Sequence, residues 1–225
     1  MKKLLAASVL LAMAVPAQAT IYNDSVNDVF TGAGGGIVDR VSLGGEKALT
    51  EVAAELIIAG DVDVTDWGKY MIAIDRVPGG DVAVNGWGRP ISMSSGMDTW
   101  IGTWVDSGNG MELYNWGGSW PFPPDEATWN GSTSIGISKS GNMVWVTSTL
   151  ANMSLNVGDT FLFDAFTSGG GGGDGAIDSL GNPNQNVADW GEFSDATPVQ
   201  YTVVPEPATL AVLALAGLGL IRRRR

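Results

Sequence analysis

Nine tryptophans and a crowd of carboxylates are the side chains of this 225-residue chain that could do chemistry. Seven of the rings fall between residues 67 and 129, and four precede a glycine: Trp67-Gly68, Trp87-Gly88, Trp116-Gly117 and Trp190-Gly191. A tryptophan beside glycine on a loop can expose its flat face, and sugars stack their axial C–H groups on such faces. Neighbouring Asp66, Asn85 and Asn115 are placed to bind hydroxyls. Trp67, Trp87, Trp116, Trp120 and Trp129 are therefore the candidate glycan-binding residues. The competing expectation is that most of the rings fill a core, as tryptophans usually do. Trp100, Trp104 and Trp145 lie within strand-like runs and are expected there.

The carboxylates suggest two further chemistries. Calcium takes six to eight oxygen ligands, and Asp174, Asp178, Asn182 and Asn184, with Asn186 beyond, crowd into one loop-rich stretch. No glutamate closes a twelve-residue EF-hand loop, and the competing reading is a solvated flexible loop. Paired carboxylates could also hydrolyse glycosidic bonds without histidine, but nothing singles out two acids from the rest, and the expectation is no enzyme. The five glycines Gly169–Gly173 are not followed by the Gly-Lys-Ser/Thr of a phosphate loop.

Absences exclude more. With no cysteine there is no disulfide, iron–sulfur or thiolate–zinc site, and no thiol nucleophile. With no histidine there is no Ser-His-Asp triad, no His-ligated zinc and no ordinary general base near neutral pH. Between residues 20 and 203, six cations face 23 acids, a net charge of −17. That field repels phosphates and argues against nucleic acid as a partner.

The elements that must carry these residues read as β. Glycine reaches 32 of 225 residues, and short β-type runs recur between Gly, Asn, Asp and Pro. Strands are expected over 49–58, 69–75, 81–84, 90–93, 99–105, 111–116, 133–138, 143–150, 160–166 and 199–204. In the first, Val52, Ala54, Leu56 and Ile58 share one face, although Glu46–Ala59 has helix-forming composition too. Tyr70, Ile72 and Ile74 share a face of the second. Segment 168–178 is the clearest loop. About ten short strands predict a mainly β fold, an antiparallel β-sandwich of jelly-roll type over residues 20–203.

Both ends carry addresses. Lys2 and Lys3 precede the apolar stretch Leu4–Val15, and Ala17-Gln18-Ala19 supplies small residues for cleavage after Ala19. This is the pattern of a secretory signal peptide, residues 1–19, which implies the Sec translocon. Residues 204–225 hold Pro205, Glu206 and Pro207, an uncharged run Ala208–Ile221, and Arg222, Arg223, Arg224 and Arg225. As a helix the run would be about 21 Å long, short against a hydrocarbon core of about 30 Å. The arginines should stay cytoplasmic, leaving the body on the far side of the inner membrane, tethered transiently through 208–221.

This tail resembles the PEP-CTERM sorting signal of Gram-negative bacteria. The resemblance implies processing by an exosortase and export to the envelope or beyond, in company with exopolysaccharide. A plain membrane anchor is the alternative. The stretches Asp-Trp-Gly-Lys-Tyr (66–70) and Gly-Trp-Gly-Arg-Pro (86–90) resemble segments of DOMON-like and family 9 carbohydrate-binding modules. That likeness implies a sandwich binding polysaccharide through a tryptophan pair, with structural calcium. The resulting expectation is an exported, non-catalytic envelope or matrix protein that binds polysaccharide. The alternatives are a passive acidic surface protein and a carboxylate-dependent glycan-active enzyme.

Overall fold

A computed structural model describes residues 22–23, 49–52, 56–58, 62, 68–105, 108–128, 135–181 and 190–203. The strands are β1 (Tyr22–Asn23), β2 (Leu49–Val52), β3 (Leu56–Ile58), β4 (Lys69–Asp75), β5 (Ile91–Ser92), β6 (Thr99–Trp104) and β7 (Gly110–Asn115), followed by β8 (Glu126–Thr128), β9 (Ile135–Ser140), β10 (Met143–Ser148), β11 (Thr160–Ser168), β12 (Ala176–Ser179), β13 (Ser194–Asp195) and β14 (Val199–Thr202). They form a five-stranded sheet, β1-β2-β3-β10-β9, and a seven-stranded sheet, β12-β11-β4-β6-β7-β8, with β14 also on β11. Both sheets are antiparallel; the small pair β5–β13 is parallel. The fold is mainly β, and no helix occurs among the described residues. The signal segment 1–19 and the tail 204–225 lie outside them, and among the described residues no helix is long and apolar enough to cross a membrane.

The strand expected over 49–58 is instead two strands, β2 and β3, paired with Leu49 opposite Ile58. Asp81–Val84 is not a strand either; Asp81 makes a single bridge to Met97. Residues 176–179, expected as loop, form β12. The other expected strands occur within a few residues of their bounds.

The seven-stranded sheet is covered on both faces, which explains why β4 reads Tyr-Met-Ile-Ala-Ile rather than alternating apolar and polar. On one face Tyr70, Ile74, Ile101, Met111, Leu113 and Phe163 share a buried cluster with Ile135 and Val144 of the five-stranded sheet. Tyr22 meets Phe163 edge-on there, ring centroids 5.2 Å apart. On the other face Met71, Ala73, Trp100, Tyr114 and Phe166 pack under Ile91, Met93 and Met97 of the segment between β4 and β6. That second layer is where the candidate site forms.

One core residue is a poor fit. The Tyr70 hydroxyl is fully buried with no hydrogen-bond partner, and burial pushes its pKa up. An unmade buried hydrogen bond costs about 1–3 kcal/mol. Tyr70→Phe is therefore expected to raise the unfolding free energy by about 1 kcal/mol, read as a higher urea midpoint at unchanged slope. A lower midpoint would show that the hydroxyl has a partner in solution.

Candidate functional site

Strand register places the site. Across the outer face of the seven-stranded sheet, Ser168, Lys69, Trp104 and Gly110 form one cross-strand row. The next row is Phe166, Met71, Gly102 and Glu112, and the third is Asp164, Ala73, Trp100 and Tyr114. Large and small side chains alternate across these rows. The small positions are floors for rings: a Cβ on Gly110 would lie 1.9 Å from the Trp104 ring, and one on Gly102 would lie 2.3 Å from the Trp87 ring. Glycine in a strand interior weakens the strand but admits such a close approach. Trp87 and Trp104 sit side by side, with centroids 6.4 Å apart and planes 37° apart.

Trp87 does not belong to the sheet. It comes from the loop before β5, which Asn85 organises. The Asn85 amide donates to the carbonyls of Arg89 and Ile91, both at 2.8 Å, and its oxygen accepts from the backbone N–H groups of Trp87 and Arg89. Only 1 % of Asn85 is exposed, so it holds the loop rather than a sugar hydroxyl. Trp87 Nε1 donates to Glu112 at 2.7 Å, and the same carboxylate oxygen accepts from the Tyr114 hydroxyl at 2.7 Å. Burial, with this acceptor, pushes the Tyr114 pKa up.

Arg89 lies over Trp87, its guanidinium carbon 5.2 Å from the ring centroid, within cation–π range. Its Nη1 donates to Ser168 Oγ (2.7 Å), the Asp174 carbonyl (2.7 Å) and more weakly the Gly169 carbonyl (3.4 Å). Arg89 thereby ties both ends of the glycine run to β11. Burial lowers its pKa and the nearby Asp174 charge opposes that. Lys69, Trp87, Arg89, Trp104 and Gly172 line an open cavity of about 220 Å³.

Of the five tryptophans singled out from sequence, Trp87 is at this cavity. Trp116 and Trp120 form a different pair, centroids 5.4 Å apart at 55°, with Trp120 Nε1 donating to Asp81 and to the Val84 carbonyl. Asn115 is again scaffolding: its amide donates to the Asn152 carbonyl and its oxygen accepts from Thr99. Trp67, with Asp66, and Trp129 lie outside the described residues. Trp100 is fully buried as expected, whereas Trp104 and Trp145, expected in the core, are half-buried. Trp104, Lys69 and Arg89 were missed as site residues. The signal was Gly102 between Trp100 and Trp104, a gap on one strand face that marks a close approach.

The calcium candidates do not converge among the described residues. Asp174 turns back on its own loop and accepts from the Gly171 N–H at 2.8 Å. Asp178 is fully buried in β12, where its carboxylate accepts from the Ser179 N–H at 3.1 Å. Asn182, Asn184 and Asn186 lie outside the described residues. Among the described residues no three acidic side chains gather as metal ligands would.

No curated protein and no solved structure matches the chain, so the likeness of the body to carbohydrate-binding modules stands on its two short stretches alone. The family model of the PEP-CTERM protein-sorting motif matches residues 203–225, spanning Pro205-Glu206-Pro207, the apolar run and the four arginines. The tail thus carries a PEP-CTERM protein-sorting motif, and that motif implies export and membrane processing by an exosortase in a Gram-negative envelope.

Proposed function

We propose that the body is a non-catalytic envelope or extracellular-matrix protein that binds polysaccharide at the Trp87–Trp104 cavity. The observation that carries this is the paired rings, each seated on a strand glycine and both bordering one open cavity. Trp104 supplies the platform, since Gly110 occupies one side of its ring and the cavity borders it. At about 220 Å³ the cavity is below the usual 300–1,000 Å³ of a pocket that engulfs a whole small molecule. It suits one sugar ring of a longer chain running across the surface. Among the described residues no carboxylate lines it, which favours binding over acid–base hydrolysis. The two sheets joined by their shared cluster support a sandwich as the scaffold. The N-terminal signal peptide and the Sec translocon complete the export route in this reading.

The test is retention of the exported protein in affinity gels cast with different polysaccharides. Retention by at least one, abolished in Trp104→Ala at unchanged thermal midpoint, is the expected result. Free migration through every polysaccharide would end this reading and leave a passive acidic surface protein.

A further inference from the structure

The cavity's charge is opposite to that of the protein around it. The body holds six cations among 23 acids, yet among the described residues two of the five that line this cavity are cations, Lys69 and Arg89, and none is an acid. Arg89 is the more telling. It is only 5 % exposed, and a buried charge requires compensation. Its side-chain hydrogen bonds among the described residues all leave from Nη1, and all end on neutral oxygens: one hydroxyl and two carbonyls. The Asp174 charge acts on Arg89 from nearby, but no hydrogen bond joins the two side chains. Glu112 accepts from Trp87 Nε1 and the Tyr114 hydroxyl, and Asp174 accepts from the Gly171 N–H.

Resting on the polysaccharide reading above, we infer that the cavity is a subsite for a carboxylated sugar, a uronate residue of an acidic polysaccharide. The pyranose ring stacks on Trp104. Its carboxylate faces the Arg89 guanidinium, whose planar fork suits a carboxylate, with Lys69 as the second positive charge. The net charge of the body does not forbid this. Exposed charges are largely screened beyond about 8 Å at physiological ionic strength, so acids farther from the cavity than that weigh little there. The distant acids act as a filter, penalising polyanion segments that do not enter the cavity. Arg89 also holds the glycine loop, so its removal risks the fold; Lys69 is the cleaner probe.

The experiment measures binding of the exported protein to polygalacturonate and to its fully methyl-esterified form, which has the same backbone without the charge. Both are measured with EDTA and at two salt concentrations. The expected result is about tenfold tighter binding of the acid form, a preference that falls with salt and shrinks severalfold in Lys69→Gln. Equal binding of both forms overturns the uronate inference and leaves the polysaccharide reading standing. Binding of neither form overturns the uronate inference, and the polysaccharide reading falls with it only if no other polysaccharide is bound either. Binding of the acid form that EDTA abolishes assigns it to a metal bridge on the acidic shell, and binding unchanged in Lys69→Gln and Trp104→Ala places it elsewhere. Either result overturns the inference.

Discussion

Raising the pH from 4 to 8 is expected to cost the body about 4 kcal/mol of stability through a single carboxylate, Asp164. This side chain is fully buried on the outer face of β11. Its Oδ1 accepts from the N–H groups of Ala165 and Gly181, and its Oδ2 from Ser179 Oγ and the Thr197 N–H. It thereby pins β11 to the end of β12 and to the chain just after β13. Burial pushes its pKa from 3.8 up to about 7, against the four donors that pull it down. The folded state therefore holds this proton more tightly than the unfolded chain does. Stability is fully present below about pH 4, declines as pH rises, and levels off above about pH 7. At about 1.4 kcal/mol per pKa unit, the full loss is of the order of 4 kcal/mol, with somewhat more than half falling between pH 5 and 8. Repulsion within a body of net charge −17 acts in the same direction, so the wild-type curve alone does not isolate Asp164. Asp164→Asn does. It keeps an oxygen for Ala165 and Gly181 but cannot ionise, and urea unfolding from pH 5 to 8 should show a flatter dependence than wild type. Parallel curves for the two proteins would mean that Asp164 is not the group titrating.

What the sequence showed of this molecule depended on whether the signal was local. Lys69–Asp75 and Thr99–Trp104 were legible because their composition and turn boundaries suffice to mark a strand. The pairing of faces was not. The apolar run of β4 says that both faces are covered, but nothing local says that Ile91, Met93 and Met97 cover the second. The hairpin of β2 and β3 was read as one strand because both halves are apolar and no Gly, Pro or Asn marks the turn between them. β12 was hidden by the glycines before it and the asparagines after it. Its Asp178 looked like a calcium ligand because composition cannot reveal that a carboxylate is buried. The candidate site shows the same division. Trp87 was found through its glycine neighbour, but its partner Trp104 was assigned to the core, because a ring seated on Gly110 is a property of the register between β6 and β7. Asn85 and Asn115, read as sugar-binding neighbours, are consumed elsewhere, Asn85 by its own loop and Asn115 by Thr99 and the Asn152 carbonyl. The sorting motif needs no tertiary partner to be recognised, so it was the most legible part of the chain.

Changing Pro205, Glu206 and Pro207 to alanine is expected to abolish C-terminal processing and to leave the body's stability unchanged. The first half follows from the motif matched at 203–225. Proline disfavours helix at its own and the preceding position, and alanine, the best helix former, removes that bias from the motif. The second half follows from how the body ends. β14 pairs with β11 through Thr202 opposite Thr160. Beyond it, the Val203 N–H donates to the Asp159 carbonyl and the Val203 carbonyl accepts from the Gly158 N–H, each at 2.8 Å. Val203 is 6 % exposed, so the last residue before the tail is fastened by the body's own hydrogen bonds, and cutting beyond it removes none of them. Whole-protein mass spectrometry should show wild type without its arginine cluster and the triple variant with Arg225 intact in the membrane fraction, while thermal midpoints of the two bodies agree. A wild-type product still ending in the four arginines would make the tail a plain anchor. A variant cleaved like wild type would place recognition outside Pro205-Glu206-Pro207.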